Sequence, residues 1–208
     1  MKKSFGAKPW VYPVPVFIVA TYNEDGSVDA MNAAWGGIND TTQVALCLSH
    51  THKTVKNILA KKAFTVSIAD EAHVVEADYL GVVSANKVAD KFAKSGLHAT
   101  KSELVDAPII DEFPMVLECK LVSYDEKTDH LVGEIVNVSA DEHVLTDGKI
   151  DPSKLKPITF DPVNHVYLKL GEKVGNAFAD GKKLWLYNKC WGLRENSQAL
   201  TFIFFAKK

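Results

Sequence analysis

The sequence predicts a mainly β chain with a block of inserted helices, an antiparallel β-barrel of the α+β class. Long stretches alternate apolar and polar residues between tight turns, the period of half-buried antiparallel strands. One block, residues 54–94, switches to helical spacing. Neither a strand-GxGxxG-helix nor a GxxxxGK[ST] motif is present, which removes the doubly wound nucleotide folds. Strand hairpins broken by a single helical block point to a barrel carrying an insertion.

The elements follow in order. Residues 14–22 are apolar and β-branched, and Asn23-Glu24-Asp25-Gly26-Ser27 is a hairpin turn. Residues 28–37 read as a strand of small residues and 43–49 as a further apolar strand, together a meander. Residues 54–63 set Val55, Ile58 and Leu59 at helical spacing with lysines between them. Residues 64–69 return to strand; 74–83 and 88–94 are helical, the second stopped by Gly96. The stretch 97–114 reads as loop, with Pro108 and Pro114 as breakers. In 115–124 Met115, Leu117, Cys119 and Leu121 fall on one side, Glu118 and Lys120 on the other. Residues 125–129 turn, and 130–138 pair back as a hairpin. Short strands at 157–161 and 165–170 follow a turn at 146–149.

Composition bounds the function. The 208 residues carry 24 basic and 26 acidic side chains, a formal net charge of −2, with 47% hydrophobic and 24% charged residues. This is the balance of a soluble globular domain with enough apolar surface for one core, and a single domain is the default. Near-neutral charge gives no long-range field for nucleic acid or an anionic membrane, so neither is an expected partner. Three cysteines, Cys47, Cys119 and Cys190, form no CxxC pair and suit a reducing, cytoplasmic setting as buried, inert thiols. The apolar run 10–20 is too short to span a membrane, and Pro13 and Pro15 interrupt it, so it reads as a Pro-rich arm leading into a strand.

Four groups could carry chemistry. Ser49-His50-Thr51-His52-Lys53-Thr54 lies between an apolar strand and a helix, where hydroxyls, a lysine and free N–H groups suit a phosphate. The same residues also suit an ordinary N-cap by Thr51 or Thr54, and His50 and His52 could instead face a metal. Asn32-Ala33-Ala34-Trp35-Gly36-Gly37 leaves backbone open to a flat ring, though Asn32 and Trp35 share a site only if the strand bends; a core tryptophan is the alternative. Gly81 to Lys87 with Asp90-Lys91-Phe92 could meet an anionic or carbonyl-bearing ligand, or be a solvated face. His130 in a hairpin and Phe160 in a short strand complete the set.

Taken in chain order, Asn-x-x-Trp, Ser-x-x-x-Lys-Thr, Gly-x-x-Ser, Asp-Lys-Phe and Asp-His-x-x-Gly-Glu-Ile resemble the flavin reductase-like FMN-binding split-barrel family, and its flavoredoxin branch in particular. The resemblance covers about the first 183 residues and includes the later Pro-Ile-Thr-Phe-Asp and Gly-Lys-Lys-Leu segments. It implies a homodimer of antiparallel Greek-key split β-barrels, each holding one FMN non-covalently. Asn32, Ala33 and Trp35 would lie by the isoalloxazine; Ser49, His50, Thr51, Lys53 and Thr54 would hold the phosphate and ribitol. Lys91 would reach the polar edge or the phosphate, His130 would contribute from its hairpin, and Phe160 would pack on the ring. Ser84 matches the Gly-x-x-Ser element, although Ala85 replaces the usual following glycine. The implied activity is hydride transfer from NAD(P)H to FMN, with electrons passed to flavin or a redox protein. The alternative is an FMN electron carrier that does not itself oxidise nicotinamide. Either needs no nucleophile or acid–base pair, because the cofactor carries the chemistry. Residues 184–208, with Trp185, Cys190, Trp191 and an apolar stretch at 202–206, continue past the family's usual end and read as a tail.

Overall fold

The computed structural model describes residues 1–184, and the chain divides into two compact units, Met1–Leu170 and Gly171 onward. Of the expected tail only Leu184 is described; Trp185, Cys190, Trp191 and residues 202–206 lie outside the described residues. No described helix is long and apolar enough to cross a membrane.

The first unit runs β1 (Val14–Pro15), β2 (Phe17–Tyr22), β3 (Val28–Ala33), β4 (Gly36–Asp40), β5 (Gln43–Cys47), α1 (Lys53–Lys61), β6 (Ala63–Ile68), α2 (Val74–Val82), α3 (Lys91–Ser95), β7 (Ala99–Lys101), β8 (Pro108–Ile110), β9 (Met115–Asp125), β10 (His130–Ala140), β11 (Leu145–Thr146), β12 (Lys149–Ile150), α4 (Pro152–Leu155), β13 (Ile158–Asp161) and β14 (Val166–Lys169). Seven strands form one antiparallel sheet in the order β3-β2-β6-β9-β10-β5-β4. Its two edge strands, β3 and β4, are joined by only Ala34 and Trp35. A flat sheet would hold these edges roughly 29 Å apart at about 4.8 Å per strand, whereas the three steps from Ala33 to Gly36 reach at most about 11 Å. The sheet must therefore curl until its edges approach, which makes it an antiparallel half-barrel. The same constraint explains why residues 28–37 are two strands and not one: the chain changes sheet edge in the middle of the run.

Two cores flank β2, whose residues are buried on both faces, so its sequence shows no alternation. Val19 points into the barrel with Val44, Leu46, Phe64 and Leu131, and α1 closes that core with Val55 and Ile58. Ile18 and Ala20 point the other way, onto Ala77 and Leu80 of α2 and Ile158 of β13. A second, three-stranded sheet, β1-β13-β14, aligns Val14 with Phe160.

Three expectations are corrected. Residues 97–114 are not all loop: β7 and β8 pair and cover the outer face of β6, where Thr65 Oγ1 donates to Pro108 O at 2.6 Å. Under that cover Glu118 is buried instead of facing water with Lys120; it accepts from Ser102 Oγ and, at 2.7 Å, from Asn137 Nδ2. Of the described thiols only Cys119 is buried, its pKa pushed up to about 12 by that burial, while Cys47 is exposed near the barrel's end.

The β13–β14 hairpin is tied to the segment before α2 by Glu71, which pairs with Lys156 at 2.7 Å and with Lys169. Hydrogen bonds from these two lysines hold its carboxyl near 2, against a usual 4.5. Because the folded pKa is depressed, Glu71's contribution is complete above about pH 4.5 and is lost as the pH falls towards 2. Glu71→Gln should therefore be less stable than the parent at pH 7, and the two melting curves should draw together below about pH 4.5 and converge only near pH 2. Thermal melts followed by circular dichroism across that range check this.

Candidate functional site

The strand β5 delivers the chain to a tight connection and then to α1. His52 is the N-cap residue in an extended conformation, and no side chain caps the helix. The expected cap by Thr51 or Thr54 is not made. Ser49 Oγ lies 3.0 Å from Thr51 Oγ1 and accepts from Thr51 N at 3.4 Å, while Thr54 is buried at 3% exposure. The first intrahelical bond is Lys56 N to His52 O. The amides of Lys53, Thr54 and Val55 are thus left without helical acceptors, and the first turn holds no acidic residue to neutralise the positive end of the helix.

That helix start opens onto a cavity of about 180 Å³, walled by Met31 and Asn32 of β3, His52, Lys53 and Thr54, the end of α2 from Leu80 to Val82, then Val83 to Ala85, and Lys91. Lys91 is only 3% exposed; its Nζ donates to Leu80 O at 2.7 Å, at the negative end of α2. Burial pulls its pKa below the usual lysine range, and the carboxylate of Asp29 opposes that shift. One carbonyl engages one of its three N–H groups, so Lys91 brings further donors to the cavity wall.

A second cavity, about 210 Å³, shares Asn32 and Gly81 with the first and adds Ala34, Asp78, Phe160 and Tyr167. Asn32 Nδ2 donates to Ala77 O at 2.9 Å, and a Cβ on Gly81 would lie 3.2 Å from Asn32 Cβ. The missing side chain lets α2 seat against β3 at this junction. Phe160 and Tyr167 have ring centres 6.1 Å apart, and Tyr167 Oη donates to Asp78 Oδ1 at 2.8 Å. Burial and the Asp78 carboxylate push the tyrosine up to about 12, so it stays a hydrogen-bond donor.

Five of the residues singled out from sequence, Asn32, Lys53, Thr54, Ser84 and Lys91, line the first cavity, and Phe160 lines the second beside Asn32. Ser49 and Thr51 stand just before the helix, where Asn86 Nδ2 ties Thr51 O at 3.0 Å. The others lie elsewhere. Ala33 is in the barrel core. Trp35 is not a core residue; it is 57% exposed and walls a separate apolar cleft of about 260 Å³ with Val11, Pro13 and Pro15. His50 turns to Asp129, 3.6 Å away, and His130 is exposed opposite Cys47 and Asp125 in its ladders. Asp78 and Tyr167 were not foreseen, whereas Gly81 heads the third candidate group. A glycine inside a helix is itself a packing signal, whereas nothing in sequence links Asp78 to Tyr167. Among the described residues, no three His, Cys, Asp or Glu side chains converge as a metal site.

Comparison with known proteins agrees with this architecture. The family model described as "Flavin reductase like domain" matches residues 11–159. The solved flavoredoxin of Desulfovibrio vulgaris (Miyazaki F) is 42% identical with a TM-score of 0.83, covering 87% of this chain and 100% of that one. The flavoredoxin from Methanosarcina acetivorans is 27% identical with a TM-score of 0.80, over 88% of this chain and 99% of that one. An uncharacterized protein of Aeropyrum pernix is 30% identical over 122 residues, 58% of this chain but 46% of that protein, so the chain spans less than half of that relative. Since the family match takes in both the curled sheet and the whole lining of the first cavity at the head of α1, the chain belongs to the flavin reductase-like family, with the split-barrel fold.

Proposed function

We propose that the chain holds FMN non-covalently and works as an electron carrier of the flavoredoxin kind. The observation that carries this reading is the uncapped start of α1 opening on a cavity with Lys53, Thr54 and the buried Lys91 on its wall. Oriented amides, hydroxyls and two ammonium groups with no acid in the lining are the donor set a phosphate dianion requires. The first cavity alone is smaller than the roughly 300 Å³ at which ligand pockets begin, and the second lies beside it, sharing Asn32 and Gly81 as wall residues. The phosphate and ribitol fit the first; the aromatic pair Phe160 and Tyr167 and the Asn32 amide suit a flat heterocycle in the second.

Lys53 and Thr54 would bind the phosphate, with Ser49, Thr51 and Ser84 at its margins. Lys91 would offer positive charge between the two cavities. Ala33, Trp35, His50 and His130 stand outside both, and we assign them no contact within one chain. When bound, FMN supplies reversible one- and two-electron chemistry, and the protein's part is to hold it, shield one side and set its electrostatic surroundings. The flavoredoxins among the similar structures favour a carrier over a nicotinamide-oxidising reductase. A homodimer is also part of this reading: Trp35, Ile38, Val122 and Val138 are exposed apolar side chains for which a second copy is a suitable cover.

The purified protein should be yellow, with flavin absorbance bands. In stopped-flow mixing, dithionite should bleach those bands within the dead time to seconds, while NADH and NADPH should leave them. Rapid bleaching by either nucleotide would move the protein to the reductase class, and a colourless preparation that ignores added FMN would overturn the cofactor assignment itself.

A further inference from the structure

The same helix that opens the cofactor cavity carries the most one-sided charge in the chain. Between Asp40 and Asp70 there is no acidic residue, and residues 53–62 hold Lys53, Lys56, Lys61 and Lys62, in a chain whose formal net charge is −2. At roughly 100° per residue, Lys53, Lys56, Asn57 and Ala60 fall opposite the buried Thr54, Val55 and Ile58, so α1 turns its basic side outwards. Lys62, in the left-handed conformation that ends the helix, and Lys120, paired across from Ala63, extend the patch at the far end; Lys87 follows Asn86, which is tied to Thr51, at the cavity end.

Among the described residues, none of these lysines lies within 4 Å of a carboxylate, although Lys94, Lys101, Lys156 and Lys169 elsewhere are all paired. The acids packed nearest do not cancel the patch. Asp25 feels Lys53 at one end, and Asp29 is 3% exposed and accepts from Asn57 Nδ2 at 3.2 Å. Glu118 is buried beneath β7 and β8, and Glu134 faces Lys120 in the ladder. Unpaired lysines cost nothing in the fold, but a row of them raises the local potential and steers an oppositely charged partner.

We propose that the outer face of α1, centred on Lys56 and continued past the helix end by the exposed Lys62, is the docking surface for an acidic electron-transfer protein, which it brings against the mouth of the cofactor cavity. The proposal rests on the carrier reading above for its purpose, but not for its contacts, since the patch belongs to the protein without cofactor. A protein partner is favoured over nucleic acid or a membrane on two grounds. The patch is a single short helix with no exposed aromatic or large apolar side chain for a base or a bilayer to meet. Outside it the chain is acidic, which opposes an extended polyanion but not a compact acidic face of similar size. FMN, held by Lys53, Thr54 and Lys91, would supply the electron-accepting chemistry: two one-electron encounters with such a donor, and two protons from solvent, would balance its reduction with no bond formed to the protein.

A strongly acidic [2Fe–2S] ferredoxin serves as the probe, with a basic haem cytochrome as control. Fluorescence anisotropy of dye-labelled ferredoxin reads binding with or without FMN; loss of flavin absorbance after photoreduction of the ferredoxin reads transfer. Lys56→Glu with Lys62→Glu should weaken ferredoxin binding at least tenfold at low salt and slow transfer to match. The dependence on ionic strength should flatten, and the difference from the parent should vanish near 0.5 M salt. FMN content should be unchanged, because neither residue lines the cavity. Lys56→Gln with Lys62→Gln should fall between, which separates charge from any effect of glutamate at the helix end. Parental affinity and salt slope in the Glu variant would overturn the proposal, as would capture of anionic vesicles or RNA through these lysines without salt-dependent ferredoxin binding. If the protein proves not to hold FMN, the anisotropy arm still decides the docking surface on its own.

Discussion

Lys53→Ala combined with Thr54→Val is expected to weaken FMN binding on the order of 100-fold while leaving riboflavin within a few-fold of the parent. A hydrogen bond to a charged group contributes roughly 1.5–3 kcal/mol, and 1.4 kcal/mol is tenfold in affinity, so losing an ammonium and a hydroxyl together gives about that factor. Riboflavin lacks the phosphate and should not register the loss. Valine keeps the branched shape of Thr54 at a position that is 3% exposed, and α1 retains Val55 and Ile58 in the barrel core, so the fold should persist. The uncapped amides also remain, which is why binding should weaken and not vanish. Quenching of flavin fluorescence during titration with each ligand measures both constants. Equal loss for the two ligands would mean that the helix start has collapsed; no loss for either would place the phosphate elsewhere.

The contrast between what the sequence made legible and what it hid has a physical basis. Periodicity located α1, α2 and the β9–β10 hairpin to within a few residues, because one face of each meets a core and the other meets water or a neighbouring layer. It could not divide residues 28–37, since the break at Ala34 and Trp35 is imposed by curling of the whole sheet and not by any local breaker. Nor could it bury Glu118: alternation assigned that side of β9 to solvent, while β7 and β8, with breakers in their sequence, fold over it. The proposed phosphate end of the site was readable because its parts are local, a strand end followed by a helix start. Its other wall was readable only in part. Phe160 was found by resemblance, whereas Asp78 and Tyr167 meet across 89 positions, and no short-range pattern encodes that contact.

Gly133→Ala should destabilise the protein by about 3 kcal/mol, a shift in melting temperature of roughly 6–12 °C for a chain of this size. Gly133 sits in β10 between β9 and β5, just past a register shift after Val132. A Cβ there would lie 2.3 Å from Phe64 Cζ and 2.9 Å from Cε1, well inside van der Waals contact, with Cys119 Cβ at 3.5 Å. The ring cannot swing aside, because Phe64 has no exposed surface and is packed among Val19, Leu46, Val66 and Leu131. Replacing glycine also narrows the unfolded ensemble, which favours the alanine variant by about 0.4–1 kcal/mol. The clash has to exceed that before any loss is seen. Phe64→Leu removes the atoms that collide and should, alone, cost stability by leaving a void. In the double variant the new methyl group occupies part of that void, so the two changes should be less damaging together than their separate costs imply, by about 1–3 kcal/mol of coupling. Urea denaturation of the four proteins measures that coupling. Strict additivity would mean that the alanine variant relaxes through backbone movement of β10 instead of through the ring, and a Gly133→Ala protein as stable as the parent would remove Phe64 from its place against this strand.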